Sequence, residues 1–198
     1  GSLRSGFDVI VLPGIAAQRL IDGNRKGALP DEYVGGLGEA GVAALKAFVE
    51  AGGTLVCIDG SAELAIDALG LPVKNVVAGL PAEQFFCPGS IVRLDIDASQ
   101  PVGFGMLPQN AAFFSFSSAY EATPGPNLRV IARYGAKDIL MSGWLEGEQA
   151  IAGRAAVVEA KAGLGRAVLI GFRAQHRGQS MATFRLIFNA MLTSGQTQ

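Results

Sequence analysis

Five β-branched or apolar residues in a row, Thr54-Leu55-Val56-Cys57-Ile58, stand between Gly52-Gly53 and Asp59-Gly60-Ser61. The run has no polar alternation, which is the pattern of a strand covered on both faces by other layers. Asp59-Gly60 is a turn signal, and Ser61 is placed to cap a helix over residues 62–69. A buried strand, a tight turn and a helix commit the chain to the α/β class. They also put Asp59, Gly60 and Ser61 at the carboxyl end of a strand, where α/β proteins hold ligands and nucleophiles.

The flanking sequence extends this unit. Residues 7–12 read as a strand that ends at Pro13-Gly14, and residues 15–21 as a short helix. A polar loop over 22–30 follows. Residues 39–51 form an amphipathic helix with Val42, Leu45, Phe48 and Val49 on one stripe, closed by Gly52-Gly53. Strand, crossover helix and strand make a βαβ unit, so the first two strands are expected to be parallel neighbours. Beyond Leu71 the pattern changes. Residues 90–97 alternate apolar and polar, as a half-wet strand does. Residues 111–116 and 128–134 read as further strands, and 155–160 with 166–172 as a hairpin around Lys161-Ala162-Gly163-Leu164-Gly165. A helix is expected over 179–192, burying Met181, Phe184, Ile187, Phe188, Met191 and Leu192, with a loose polar tail over 193–198.

Together these elements predict one domain over residues 3–194. Its expected form is a three-layer α/β sandwich, with a mostly parallel core sheet and added antiparallel strands. Gly1-Ser2 reads as a cloning remnant, so the natural chain is expected to continue upstream. The 198 residues suffice for one large core, and 49% hydrophobic against 17% charged residues exclude a disordered chain. A net charge of -1 argues against nucleic acid and against anionic membrane. The uncharged stretch 98–120 is interrupted by Pro101, Pro108, Gln109 and Asn110 and makes a poor membrane span.

The candidate chemistry is sparse. Gly36-Leu37-Gly38-Glu39-Ala40-Gly41 has the spacing of a dinucleotide fingerprint, but it does not follow a strand directly and Glu39 would face the phosphates. Asp59 is a carboxylate at a strand end, and it could equally stabilise the turn and the helix N-terminus. Ser61 is an N-cap or, less simply, a nucleophile. His176, the one histidine, sits with Arg173 and Arg177 in the loop after the last strand, as a proton-transfer candidate or as structure. The two arginines could hold a carboxylate ligand, or pair with Asp59, Glu146 or Glu148. Trp144, flanked by Gly143 and Gly147, is either a plug over the core or a contact surface for a partner or ligand. Cys57 reads as a buried strand thiol and Cys87 as a loop thiol, with a disulfide between them as the alternative. No Cys-x-x-Cys pair exists, so a metal site is not expected.

The order of parts, residues 52–69, then 155–172, then 173–192, resembles the class I glutamine amidotransferase-like fold, a flavodoxin-like sandwich. Three further stretches are similar to the C-terminal region of large bacterial zinc carboxypeptidases of the carboxypeptidase A type. They are residues 7–13, Ser142-Gly143-Trp144-Leu145, and Gly171-Phe172-Arg173-Ala174-Gln175-His176-Arg177 with residues 183–189. The amidotransferase resemblance implies a cysteine nucleophile at the elbow, where this chain has Asp59 and Gly60, and a triad glutamate where it has Gly178. The histidine position matches His176. The carboxypeptidase resemblance implies zinc only in an upstream domain. It also implies a periplasmic or secreted parent and intramolecular contact between that domain and this one. The expected function is a non-catalytic accessory or recognition domain. The alternative is a hydrolase or amidotransferase-like enzyme with an altered site at Asp59 and His176.

Overall fold

Strand β2, Thr54–Ile58, is buried on both sides as its sequence requires. Leu55 and Cys57 point into one apolar cluster and Val56 into the other. The computed structural model describes residues 2–178 and 180–195. β2 is paired in parallel with β1, Val9–Leu12, on one side and with β10, Gly165–Ile170, on the other. Val168 and Ile170 of β10 repeat the side-to-side division, facing one cluster while Ala167 and Leu169 face the other.

From β10 outward the pairing is antiparallel. The sheet continues through β9, Ala155–Ala162, then β7, Leu128–Tyr134, then β4, Ser90–Ile96, to β5, Gln109–Phe114. Three short strands lie off this path: β3, Val73–Asn75, pairs with β6, Tyr120–Ala122, and β8, Leu140–Ser142, pairs with β4. The parallel part is thus the three strands β1, β2 and β10, and the antiparallel addition is larger than the sequence pattern indicates. Three-residue strands carry too little periodicity to be seen in sequence. The wet face read for residues 90–97 holds, with Ser90, Val92, Leu94 and Ile96 buried and Asp95 exposed.

Helices α1, Ala17–Asp22, α2, Gly38–Glu50, and α3, Ala62–Leu69, cover one face. Leu45, Phe48 and Val49 are the buried stripe of α2, with Val42 at its edge. The helix ends as Gly52 takes a left-handed φ of 100° and the Gly53 amide bonds the Phe48 carbonyl at 2.9 Å. A side chain at Gly53 would lie 2.4 Å from the Phe48 ring, so only glycine lets the strand begin there. The Gly36 region is equally crowded. A β-carbon on Gly36 would sit 2.5 Å from the Gly23 amide, so that glycine serves a backbone crossing at the lead-in to α2.

The other face is covered by α4, Phe184–Leu192, together with the strands that curl over it. The helix expected over 179–192 is shorter, and a 3-10 turn, Met181–Thr183, precedes it; residue 179 lies outside the described residues. The buried positions of α4 are Leu186 and Ala190, with Ile187 packed at the edge, while Met181, Phe188, Met191 and Leu192 are exposed and Phe184 is half-buried. The expected stripe is therefore rotated. The rotation is set by polar anchors: Asn189 Nδ2 donates to the carbonyls of Val102 and Phe104, both at 2.9 Å, and Arg185 to that of Gly105. A salt bridge fixes the other end of the helix. Arg166 Nη1 and Glu159 Oε2 are 2.6 Å apart and buried, and Arg166 Nη2 reaches Thr193 Oγ1 at 2.8 Å. Thr193, expected in a loose tail, is thereby tied to the sheet; residues 196–198 lie outside the described residues.

Candidate functional site

Parallel pairing determines what meets at the carboxyl end of β2. Ile58 is in register with Ile170, so Asp59 leaves the sheet beside Gly171, and Arg173 follows two residues later. Arg173 Nε donates to Asp59 Oδ2 at 3.3 Å. Of the partners the sequence allowed for Arg173, the structure selects Asp59. Asp59 itself turns the chain with a left-handed φ of 53°, a conformation that non-glycine residues adopt at sharp strand-to-helix elbows. Its side chain is 8% exposed, and Oδ1 is buried with no hydrogen-bond partner. Burial raises the carboxyl above its ordinary range. Ser117, Arg173 and the Gly60 amide oppose the shift, though the Ser117 hydroxyl also engages the Ser115 amide at 3.1 Å.

Ser61 follows the elbow but is wholly buried. Its hydroxyl accepts from the Ile58 amide at 2.9 Å and donates back to the Ile58 carbonyl at 2.8 Å, with Leu12 O of β1 3.3 Å away. It locks the turn to β1, caps no helical amide with its side chain, and is closed to a substrate. Cys57 is fully buried in β2, and burial drives its thiol far above the ordinary range. Cys87 lies in a loop, as its sequence indicated, and is buried there, and both cysteines are free. The two thiols belong to different apolar clusters on the two faces of the sheet.

The loop after β10 divides its polar residues. Arg173 joins Asp59, His176 stacks on Phe113 of β5 with centroids 4.5 Å apart and planes 10° apart, and Arg177 is exposed. The stack exists because the sheet curls until its far edge strand lies against the segment following β10. The expected convergence of Asp59, Arg173, His176 and Arg177 is thus shown by a contact only for Asp59 and Arg173.

Several site residues were not singled out in sequence. Ser118 donates its amide to the Gly171 carbonyl at 2.7 Å, and its own carbonyl accepts from the Tyr134 hydroxyl at 2.7 Å. Asn75 Nδ2 bridges Glu63 Oε1 at 2.9 Å and Ser118 Oγ at 3.1 Å. The buried Tyr120 hydroxyl has no hydrogen-bond partner, and burial raises it well above its ordinary range. The available signal was the run Ser115-Phe116-Ser117-Ser118, polar residues placed directly after an apolar strand. Trp144, for which a plug was one reading, is 57% exposed and forms a surface cluster with Phe86 and Phe116. Among the described residues, no three His, Cys, Asp or Glu side chains gather as a metal site, and no helix is long and apolar enough to cross a membrane.

No protein-family model matches the chain, and no curated protein does. Solved structures share its fold. A putative GMP synthase subunit from Thermoplasma acidophilum superposes with a TM-score of 0.56 at 10% identity, over 98% of this chain and 78% of that one. A cytoplasmic protein from Salmonella typhimurium LT2 gives 0.57 at 14% identity, over 100% and 76%. The β-galactosidase from Bacillus circulans sp. alkalophilus gives 0.55 at 14% identity, over 97% of this chain but 23% of its own length. At these identities the likeness is one of fold.

Proposed function

We propose that this chain is a non-catalytic accessory or recognition domain of a larger protein, built on the flavodoxin-like, class I glutamine amidotransferase-like arrangement. The observation that carries the reading is the state of the elbow. Where such a fold would present a nucleophile, this chain has a carboxylate 8% exposed and tied to Arg173, and its nearest thiol, Cys57, is fully buried one strand position away from Ile58. A nucleophile closed to solvent and without an adjacent base does not attack an acyl group. The β-galactosidase likeness, over 23% of that chain, is compatible with a fold that serves as a minor part of a large enzyme. The zinc carboxypeptidase parent implied by the sequence resemblance is such a carrier, and zinc would belong to its upstream domain.

A second reading, a hydrolase working through Asp59 and His176, draws on the left-handed elbow. Against it stand the Arg173 pairing and the engagement of the His176 ring with Phe113. One pair of experiments separates the two. The isolated chain is assayed for ammonia release from glutamine and for hydrolysis of activated esters. The natural full-length protein, with and without residues 3–194, is assayed for zinc content and peptide cleavage. The accessory reading expects an inert isolated chain, and a truncated parent that keeps its zinc and kcat while its KM for peptides rises. Turnover by the isolated chain that disappears in Asp59→Asn would establish the hydrolase instead.

A further inference from the structure

We propose that the aromatic row Phe116, Phe86 and Trp144 is a docking surface for an extended peptide segment carrying lysine or arginine. The proposal deepens the recognition-domain reading and rests on it. Phe116 is 71% exposed and Trp144 57%, although both are large apolar side chains that burial would stabilise. Phe86 stands between them, edge to face with each, at centroid distances of 5.9 Å and 5.4 Å.

The row is held rigidly. The Trp144 amide donates to Ser90 Oγ at 2.9 Å, and that hydroxyl donates to the Trp144 carbonyl at 2.7 Å. The Trp144 indole N–H is taken by Glu146 Oε1 at 2.9 Å. Phe86 and Glu146 exchange backbone hydrogen bonds at 3.1 Å and 2.9 Å. Phe116 is fixed through its amide to the Cys87 carbonyl at 2.9 Å, and it keeps a left-handed φ of 49°. A strained backbone that holds an aromatic ring out in solvent is more economically explained by contact than by packing. Rings already fixed in place lose little entropy when a partner arrives.

Charge selects the partner. The three segments that build the row, residues 81–90, 111–118 and 140–150, carry Glu83, Glu146 and Glu148 and neither lysine nor arginine. Exposed aromatic faces beside carboxylates attract a lysine ammonium or an arginine guanidinium, through the ring quadrupole and through ion pairing. A second copy docking through the same row would set these carboxylates against their own kind, which opposes self-pairing.

Trp144 is the only tryptophan in the chain, so its fluorescence reports on the row alone. The probe is a blocked peptide of alternating alanine and arginine, and the control is its alanine–glutamate counterpart. The arginine peptide should shift the emission saturably and bind more weakly at high salt, while the glutamate peptide should do neither. By calorimetry, Trp144→Ala and Phe116→Ala should each weaken binding about tenfold, and Glu146→Gln, which keeps an acceptor for the indole, by a smaller factor. The proposal is overturned by the absence of any response, by an equal response to the glutamate peptide, or by unchanged affinity in Trp144→Ala. Light scattering that traces the emission change to self-association also overturns it. If the peptide fails to bind while the isolated chain stays inert to glutamine and esters, the docking surface falls and the recognition reading survives. Turnover by the isolated chain removes that reading even if the peptide binds.

Discussion

Asp59 concentrates most of the unusual chemistry of this chain in one side chain. Its carboxyl is held above the ordinary range by burial, so the folded protein binds that proton more tightly than the unfolded chain does. The stability linked to this group is therefore fully present in acid and is lost as pH rises through the folded value. Asp59→Asn removes the titration, and asparagine also tolerates the left-handed backbone. The fall in urea midpoint between mildly acidic and neutral pH should be shallower in Asp59→Asn than in the parent. An identical fall would assign the pH dependence to other groups. Arg173→Ala takes the partner from a buried carboxylate and should cost about 1 kcal/mol at neutral pH, at the low end because the arginine is half open to water. A double-mutant cycle with Asp59→Asn checks that the cost belongs to the pair. At Cys57, burial keeps the thiol protonated, so native protein at neutral pH should take up no iodoacetamide at that position, as peptide mapping would show.

Among the elements, α4 is the one whose placement depends most on side chains outside itself. Periodicity points to a stripe of Met181, Phe184, Ile187, Phe188, Met191 and Leu192, and the structure turns the helix away from it. The anchors Asn189 and Arg185 on the 101–105 turn, and Arg166 at its far end, choose the rotation that buries Leu186 and Ala190. Leu186→Ala should therefore cost about 2–4 kcal/mol, whereas Phe188→Ser, on the exposed side, should stay within about 0.5 kcal/mol by urea unfolding. Reversing that order would place the buried stripe where the sequence alone put it. The ion pair beneath the helix is a stricter case. Arg166→Met alone takes the short, buried partner from the Glu159 carboxylate and leaves it only the half-exposed Arg129 at 3.5 Å, so it should cost about 3 kcal/mol, and replacing Glu159 by methionine as well should recover much of the loss.

At the scale of the whole molecule, the two apolar clusters lie on opposite faces of one sheet and share β2, β9 and β10. Neither can lose its packing while the other keeps it, so far-UV ellipticity and tyrosine near-UV signals should follow one coincident unfolding transition. Two separated transitions would divide the chain into units the shared strands do not predict. The α/β class, the β2 turn and the buried face of α2 were legible in sequence. Each depends on local pattern: an unbroken apolar strand, an aspartate-glycine turn, a 3.6-residue stripe. The candidate site was legible only in part. Asp59 and Arg173 could be named as strand-end residues, but their pairing follows from the parallel register of β2 with β10, across more than a hundred residues of chain. The stacking of His176 on Phe113 and the row of Phe86, Phe116 and Trp144 join segments brought together by the curl of the sheet and by loop hydrogen bonds. The sequence by itself thus determined where the longer strands and helices lie, though not the three-residue strands, because hydrophobic period and turn chemistry act over a few residues and need several of them to be read. The tertiary structure alone decided which polar groups meet and which aromatics stay exposed, because register, curl and helix rotation arise from contacts between segments far apart in the chain.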